Sequence, residues 1–114
     1  MHELSLALSI LEIVEEEAER QGGRAVAVHL KLGPLSGVAK EAILSAFGLA
    51  REGTSLAETE LVVEEVALTA YCPSCAGVRT LASVQELRCP DCGVSTPEVL
   101  TGRELEVFAL EIES

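Results

Sequence analysis

The spacing of apolar residues changes several times along this chain, and each change marks an element. From Glu3 to Arg20, Leu4, Ala7, Leu8, Leu11, Val14 and Ala18 recur every three or four positions, with Ser5, Ser9, Glu12, Glu16 and Glu19 opposite them. This pattern predicts an amphipathic helix. Leu6, Ile10 and Ile13 widen its apolar arc, so the helix is expected to make contacts on more than one side, within the fold or with a partner. The run QGGR at 21–24 ends it, because glycine readily takes the left-handed conformation that closes a helix.

The period then drops to two. In AVAVHLKLG, Val26, Val28, Leu30 and Leu32 fall on one face and Ala25, Ala27, His29 and Lys31 on the other, the pattern of a half-buried strand. GPLSG at 33–37 reads as a turn, and VAKEAILSAFGLAREG as a second helix ending near Gly53. ELVVEEVALTAY at 60–71 reads as a second strand and RELEVFALEIE at 103–113 as a third, with Leu105, Val107, Ala109 or Phe108, and Ile112 on its apolar face. The segment 67–102 differs in character, since it holds all four cysteines and three of the four prolines, and it reads as a module inserted before the last strand. The expected fold is therefore α+β, with two helices on three strands and an inserted four-cysteine, zinc-ribbon-like unit.

Composition limits what such a chain does. At 114 residues the core is modest, and with aromatics at 3% it is built from aliphatic side chains, so a further stabilising element is expected. A net charge of −11 repels a phosphate backbone and favours cations or basic protein surfaces, which argues against nucleic acid as a partner. No apolar run is long enough to span a bilayer and no secretory signal pattern opens the chain, so the expectation is a cytoplasmic protein without membrane contact, its thiols reduced.

Reduced thiols in pairs point to metal. CPSC at 72–75 and CPDC at 89–92 repeat C-x2-C at the spacing of a four-thiolate zinc site, with Cys72, Cys75, Cys89 and Cys92 as ligands. Four thiolates fill a tetrahedral zinc ion, so the role expected is structural and no metal-bound catalytic water is left. Two disulfides, or a rubredoxin-like iron knuckle at CPDCG, are the alternatives; Tyr71 is the lone aromatic available to wrap an iron centre.

A second metal motif stands at the other end. In Met1, His2 and Glu3, the α-amine, the His2 amide nitrogen and the His2 imidazole close fused five- and six-membered chelate rings, and Glu3 offers a further donor. A plane of nitrogens suits Ni(II) or Cu(II) and not Zn2+ or Mg2+. The bulk of His2 keeps Met1, and hence that amine, in place. The alternative is a frayed helix start whose acidic residue favours the helix dipole.

Taken together, MHELSL, GPLSGV, LSAFGLAREGT, CPSC with CPDCG, and TGRELEVFALEIE resemble the HypA/HybF family of hydrogenase maturation nickel metallochaperones, nearly end to end. The resemblance implies a three-stranded antiparallel sheet with two helices forming a nickel-binding domain over 1–66 and 103–114, and a zinc-binding domain over 67–102. It implies nickel at Met1, His2 and Glu3 as transferred cargo, and zinc at the four cysteines. It also implies delivery to the large subunit of [NiFe]-hydrogenase with a HypB-type GTPase, and service to urease maturation in some members. The chain departs from the pattern at Ala76, where a glycine or histidine often follows the first cysteine pair, and some adjustment of that turn is expected.

Other readings are weaker. A zinc ribbon for nucleic acid lacks basic residues beyond Arg79, Arg88 and the bordering Arg103, and lacks a stacking platform. A protein-interaction ribbon without nickel transfer is the remaining alternative. An enzyme needs an open metal position or a base with its nucleophile, and His2 and His29 assemble neither. His29 reads as an outward residue of its strand and the glutamates at 15–17 as a solvated helix end. Monomer and homodimer both fit the pattern.

Overall fold

The computed structural model describes residues 2–114. Helix α1 (Glu3–Gln21) leads into β1 (Arg24–Leu32), a 3-10 turn (Pro34–Ser36), α2 (Lys40–Ala50), β2 (Glu60–Glu65), β3 (Thr69–Cys72), β4 (Gly77–Thr80), β5 (Val99–Thr101) and β6 (Leu105–Glu113). Gly22 at φ +67° closes α1, and the next amide, Gly23 N–H, reaches back to Ala18 O at 3.0 Å, so the helix stops where two glycines permit the turn.

Two three-stranded sheets result. The first has the order β2-β1-β6 and packs both helices on one face, where Val14, Ile43, Phe47, Val28 and Leu30 are buried together. Its pairing corrects the expectation of an all-antiparallel sheet: β1 and β6 are antiparallel, but β1 and β2 are parallel. The reason is the connection. The chain crosses over through α2 before entering β2, and a helical crossover returns a strand in the same direction.

The helix stripe is also rotated from the simplest reading. Ile10 is buried with Ala7, Leu11, Val14 and Ala18, while Leu4, Leu8 and Ile13 stay exposed. Two bulges reset the strands. Between Ala25 and Ala27, β1 carries Val26 as an extra residue against β6, so both Ala25 and Val28 turn to the core and Val26 is exposed. Opposite His29 and Leu30, β6 carries Phe108 as the extra residue, so Leu105, Val107 and Leu110 pack inward while Phe108 is exposed.

The stretch expected as one strand over 60–71 is divided between the sheets. After β2 the Val66 N–H still bonds to Leu32 O at 2.9 Å, and then Leu68 turns into a second core with Ala70 and Leu81. There β3 is central, antiparallel to β4 and to β5. The GPLS loop joins the two halves: Gly33 N–H bonds to Glu104 O at 2.8 Å, Leu35 N–H to Gly102 O at 2.7 Å, and the Leu35 side chain packs against the second core. A Cβ on Gly33 would lie 2.2 Å from Gly102 O, and Gly102 itself has φ +125° with Leu68 against it.

This crossing tolerates no side chain, whereas Gly48 within α2 has open space where a Cβ would sit. Gly33→Ala is expected to lower the unfolding free energy by about 2 kcal/mol or more. Gly48→Ala is expected to raise it by about 0.5–1 kcal/mol. Urea melts of the two variants beside the parent would check this, and equal midpoints for both would contradict the crossing as described.

Candidate metal site

Each C-x2-C motif sits at the tip of a turn. The first lies between β3 and β4: Cys72 ends β3, and the Cys75 N–H folds back to donate to Cys72 Sγ at 3.3 Å. The second is closed by Cys89 N–H to Val94 O and Gly93 N–H to Cys89 O, both at 2.9 Å. The residue after each pair must take a left-handed turn. Gly93 does so at φ +77° and Ala76 at φ +54°, which is the adjustment expected where alanine stands in place of a glycine or histidine.

The two turns face one another. Cys72 Sγ lies 3.5 Å from Cys92 Sγ and Cys75 Sγ 3.9 Å from Cys89 Sγ, and all four sulfurs lie within 4.8 Å of one another. A tetrahedral zinc ion with Zn–S bonds of about 2.3 Å holds its sulfurs about 3.8 Å apart, so the donors fit it in number, type and spacing. None is in a disulfide, which removes that alternative for this conformation. Cys72 and Cys89 are buried and Cys92 is exposed, so the site lies at the edge of its small core.

The thiols differ sharply in acidity. Hydrogen bonds shared with Cys92 and Cys72, with burial adding to them, push Cys75 up to about 12. Burial also works to raise Cys89, but the backbone N–H groups of Cys92 and Asp91 stabilise its thiolate and bring it down to about 6. Beside the cluster, Arg79 Nε is 2.8 Å from Asp91 Oδ2, a pairing that no local sequence pattern announces. Its signal was the register of the β3–β4 hairpin, which was not legible before the strand pairing was known.

Of the N-terminal trio, Met1 lies outside the described residues. His2 is exposed and caps α1 in extended conformation, with φ −79° and ψ 118°, and makes no side-chain cap bond. The first helical bond in the turn is Leu6 N–H to His2 O at 3.1 Å, and Glu3 is the first residue of the helix, half-buried. His29 is on the outer sheet face as expected. Its Nε2 is 2.6 Å from Glu111 Oε2, and its ring meets the edge of Phe108 at 5.9 Å. The acidic run is surface as expected, with Glu15 accepting from Ser55 Oγ at 3.0 Å and Glu17 pairing with Arg20. Among the described residues, the four cysteines are the one group of three or more metal-ligating side chains.

Two outcomes follow for this site. Because Cys75 holds its proton through neutral pH, metal must displace it, and zinc affinity is expected to rise with pH; calorimetry in buffers of different ionisation enthalpy would count the proton released. Ala76→Gly relieves the left-handed alanine and is expected to stabilise the zinc-loaded protein by about 1 kcal/mol, read from denaturant midpoints at saturating zinc.

The sequence model of a family described as "Hydrogenase/urease nickel incorporation, metallochaperone, hypA" matches residues 1–112. A hydrogenase maturation factor HypA of Roseiflexus sp. (strain RS-1) is 47% identical over 114 residues, covering 99% of this chain and 93% of that protein. One of Chloroflexus aggregans is 44% identical over 112 residues, covering 97% and 98%. The solution structure of the Ni metallochaperone HypA from Helicobacter pylori superposes with a TM-score of 0.64 at 24% identity, covering 98% of this chain and 97% of that one. A second solution structure of a HypA protein gives 0.70 at 23%, covering 99% and 97%, and both likenesses speak to the fold. With a full-length family match and relatives this similar, the chain belongs to the HypA family of nickel-incorporation metallochaperones for hydrogenase and urease, and is not an enzyme.

Proposed function

We propose that this chain carries Ni(II) on Met1, His2 and Glu3 and delivers it to the large subunit of [NiFe]-hydrogenase in the cytoplasm, working with a HypB-type GTPase. In this reading 67–102 is a zinc-binding domain held by Cys72, Cys75, Cys89 and Cys92, and 1–66 with 103–114 is the nickel-binding domain. The observation that carries it is the position of His2 as the cap of α1. The first amides of a helix have no carbonyl partner within it, so the His2 and Glu3 nitrogens are available to a metal at no cost in helical hydrogen bonds. The imidazole is exposed and makes no competing cap bond. Nothing in α1 has to unfold for nickel to enter or leave.

The flank of α1 supports a docking role for the GTPase. Ile13 is exposed and borders an apolar groove of about 340 Å³ lined also by Leu6, Leu105 and Val107. Ile10, which the sequence alone made a third contact residue, also lines this groove but packs in the core at 2% exposure, so a charge there would disturb the fold as well as the docking surface.

His2→Ala is expected to abolish nickel binding and hydrogenase maturation while zinc content and fold persist, because that side chain is exposed and makes no cap bond. Calorimetry with Ni(II) and zinc analysis of the same sample would check it, and unchanged nickel affinity would return the trio to a plain helix start. Ile13→Glu is expected to weaken the GTPase complex by about tenfold or more, as loss of a buried apolar contact does, with zinc content unchanged.

A further inference from the structure

The β3–β4 hairpin pairs Cys72 with Gly77 and Ala70 with Arg79. Alternate residues share a face, so Arg79 stands on the same side as the buried Ala70 and Cys72 and beside the first knuckle. Its guanidinium folds back over Gly77, where a Cβ would meet Nη1 at 3.1 Å, and Nη1 donates to Val78 O at 2.9 Å. Nε lies 2.8 Å from Asp91 Oδ2, in the middle of the second knuckle. The Nε atom is buried, and its N–H points off the line to the carboxylate, leaving this donor without a hydrogen bond among the described residues. The Cys75 sulfur and the Asp91 carboxylate both favour the charged guanidinium, though burial opposes it.

We propose that Arg79 is the positioning residue of the zinc site: it ties the second cysteine pair to the hairpin of the first and offsets the negative charge of the four-thiolate ion. This rests on the reading of the four cysteines as zinc ligands. A zinc ion with four thiolates carries a net charge of about −2. In a chain of net charge −11 that excess has few cations to balance it. Arg88, just ahead of the second cysteine pair, pairs with Glu86 at 3.0 Å and donates Nη1 to Gly93 O at 3.2 Å, but no carboxylate of a knuckle holds it and its side chain is 60% exposed, against 30% for Arg79. A planar, permanently charged fork holds a carboxylate in a fixed orientation while its charge stays beside the first knuckle, which a compact ammonium on a flexible stem does less well. Groups that orient and balance metal ligands in this way commonly change metal affinity by about 10–100-fold when removed.

The experiment uses the full chain. Zinc release to the chelator 4-(2-pyridylazo)resorcinol is timed for the parent, Arg79→Gln, Arg79→Lys and Arg88→Gln, and each protein is also loaded with Co(II) to read its thiolate charge-transfer spectrum. Arg79→Gln is expected to release zinc about tenfold faster with a tetrahedral cobalt spectrum retained, Arg79→Lys to recover part of the loss through its charge, and Arg88→Gln to match the parent. Should Arg79→Gln fail to fold, Asp91→Asn severs the same pair from the other side and is expected to speed release in the same direction. Release by Arg79→Gln at the parent rate, or equal acceleration by Arg79→Gln and Arg88→Gln, overturns the role of Arg79 and leaves the zinc reading standing. A parent that gives no thiolate–cobalt spectrum overturns the zinc reading and this proposal with it.

Discussion

The structure turns on a backbone-to-backbone contact. Where Gly33 meets Gly102, the loop leaving β1 touches the strand returning from the second sheet so closely that neither residue carries a Cβ. Three hydrogen bonds converge there, donated by the amides of Gly33, Leu35 and Val66, and they fix the exit of β2 and the entry to β6 at one point. Hydrogen bonds at a junction each contribute only about 1 kcal/mol net, but here they are reinforced by Leu35, which leaves the first half of the molecule to pack in the second core. The two cores are thereby joined by packing as well as by covalent chain.

The second core needs that help. Its buried apolar residues outside the cysteines are Leu68, Ala70 and Leu81, with Leu35, Leu87 and Val99 at the margin. So few side chains do not offset the entropy of ordering the segment. In the proposed zinc reading, a metal closing four thiolates supplies the additional term, as in other small zinc-held units whose binding energy is folding energy. The first core has no such need, since Phe47, Ile43, Val14, Val28 and Leu30 are all fully buried between helices and sheet. On that reading one chain combines a part stabilised by packing with a part stabilised by coordination.

Most of this architecture was legible in the sequence because period and spacing are local signals. The helical stripe located α1, the alternation of β1 located the central strand, and the paired C-x2-C turns located the thiolate cluster. What escaped was non-local. The direction of β2 depends on where the crossover returns, and the split of 60–71 depends on Leu68 finding a different core from Val63. Strict alternation in β6 failed at Phe108 because a bulge is a property of two strands in register. The rotation of α1 toward Ile10 depends on which side the sheet approaches, and the pairing of Arg79 with Asp91 on a hairpin seen only once β3 and β4 are aligned.

The bulge at Phe108 bears on how this sheet meets other chains. In the order β2-β1-β6, β6 is an outer strand nine residues long, and such a strand offers its free amides to any neighbour that can align with it. The extra residue interrupts the repeat midway, and the strand is acidic along the rest of its length, although Glu111 pairs with His29 and Glu113 with Arg24 on the neighbouring β1. The opposite outer strand carries Glu60, Glu64 and Glu65. Edge-to-edge stacking of one copy on another therefore meets a broken ladder on the β6 side, and the same feature that aims Phe108 away from its core also makes that edge a poor template for an added strand.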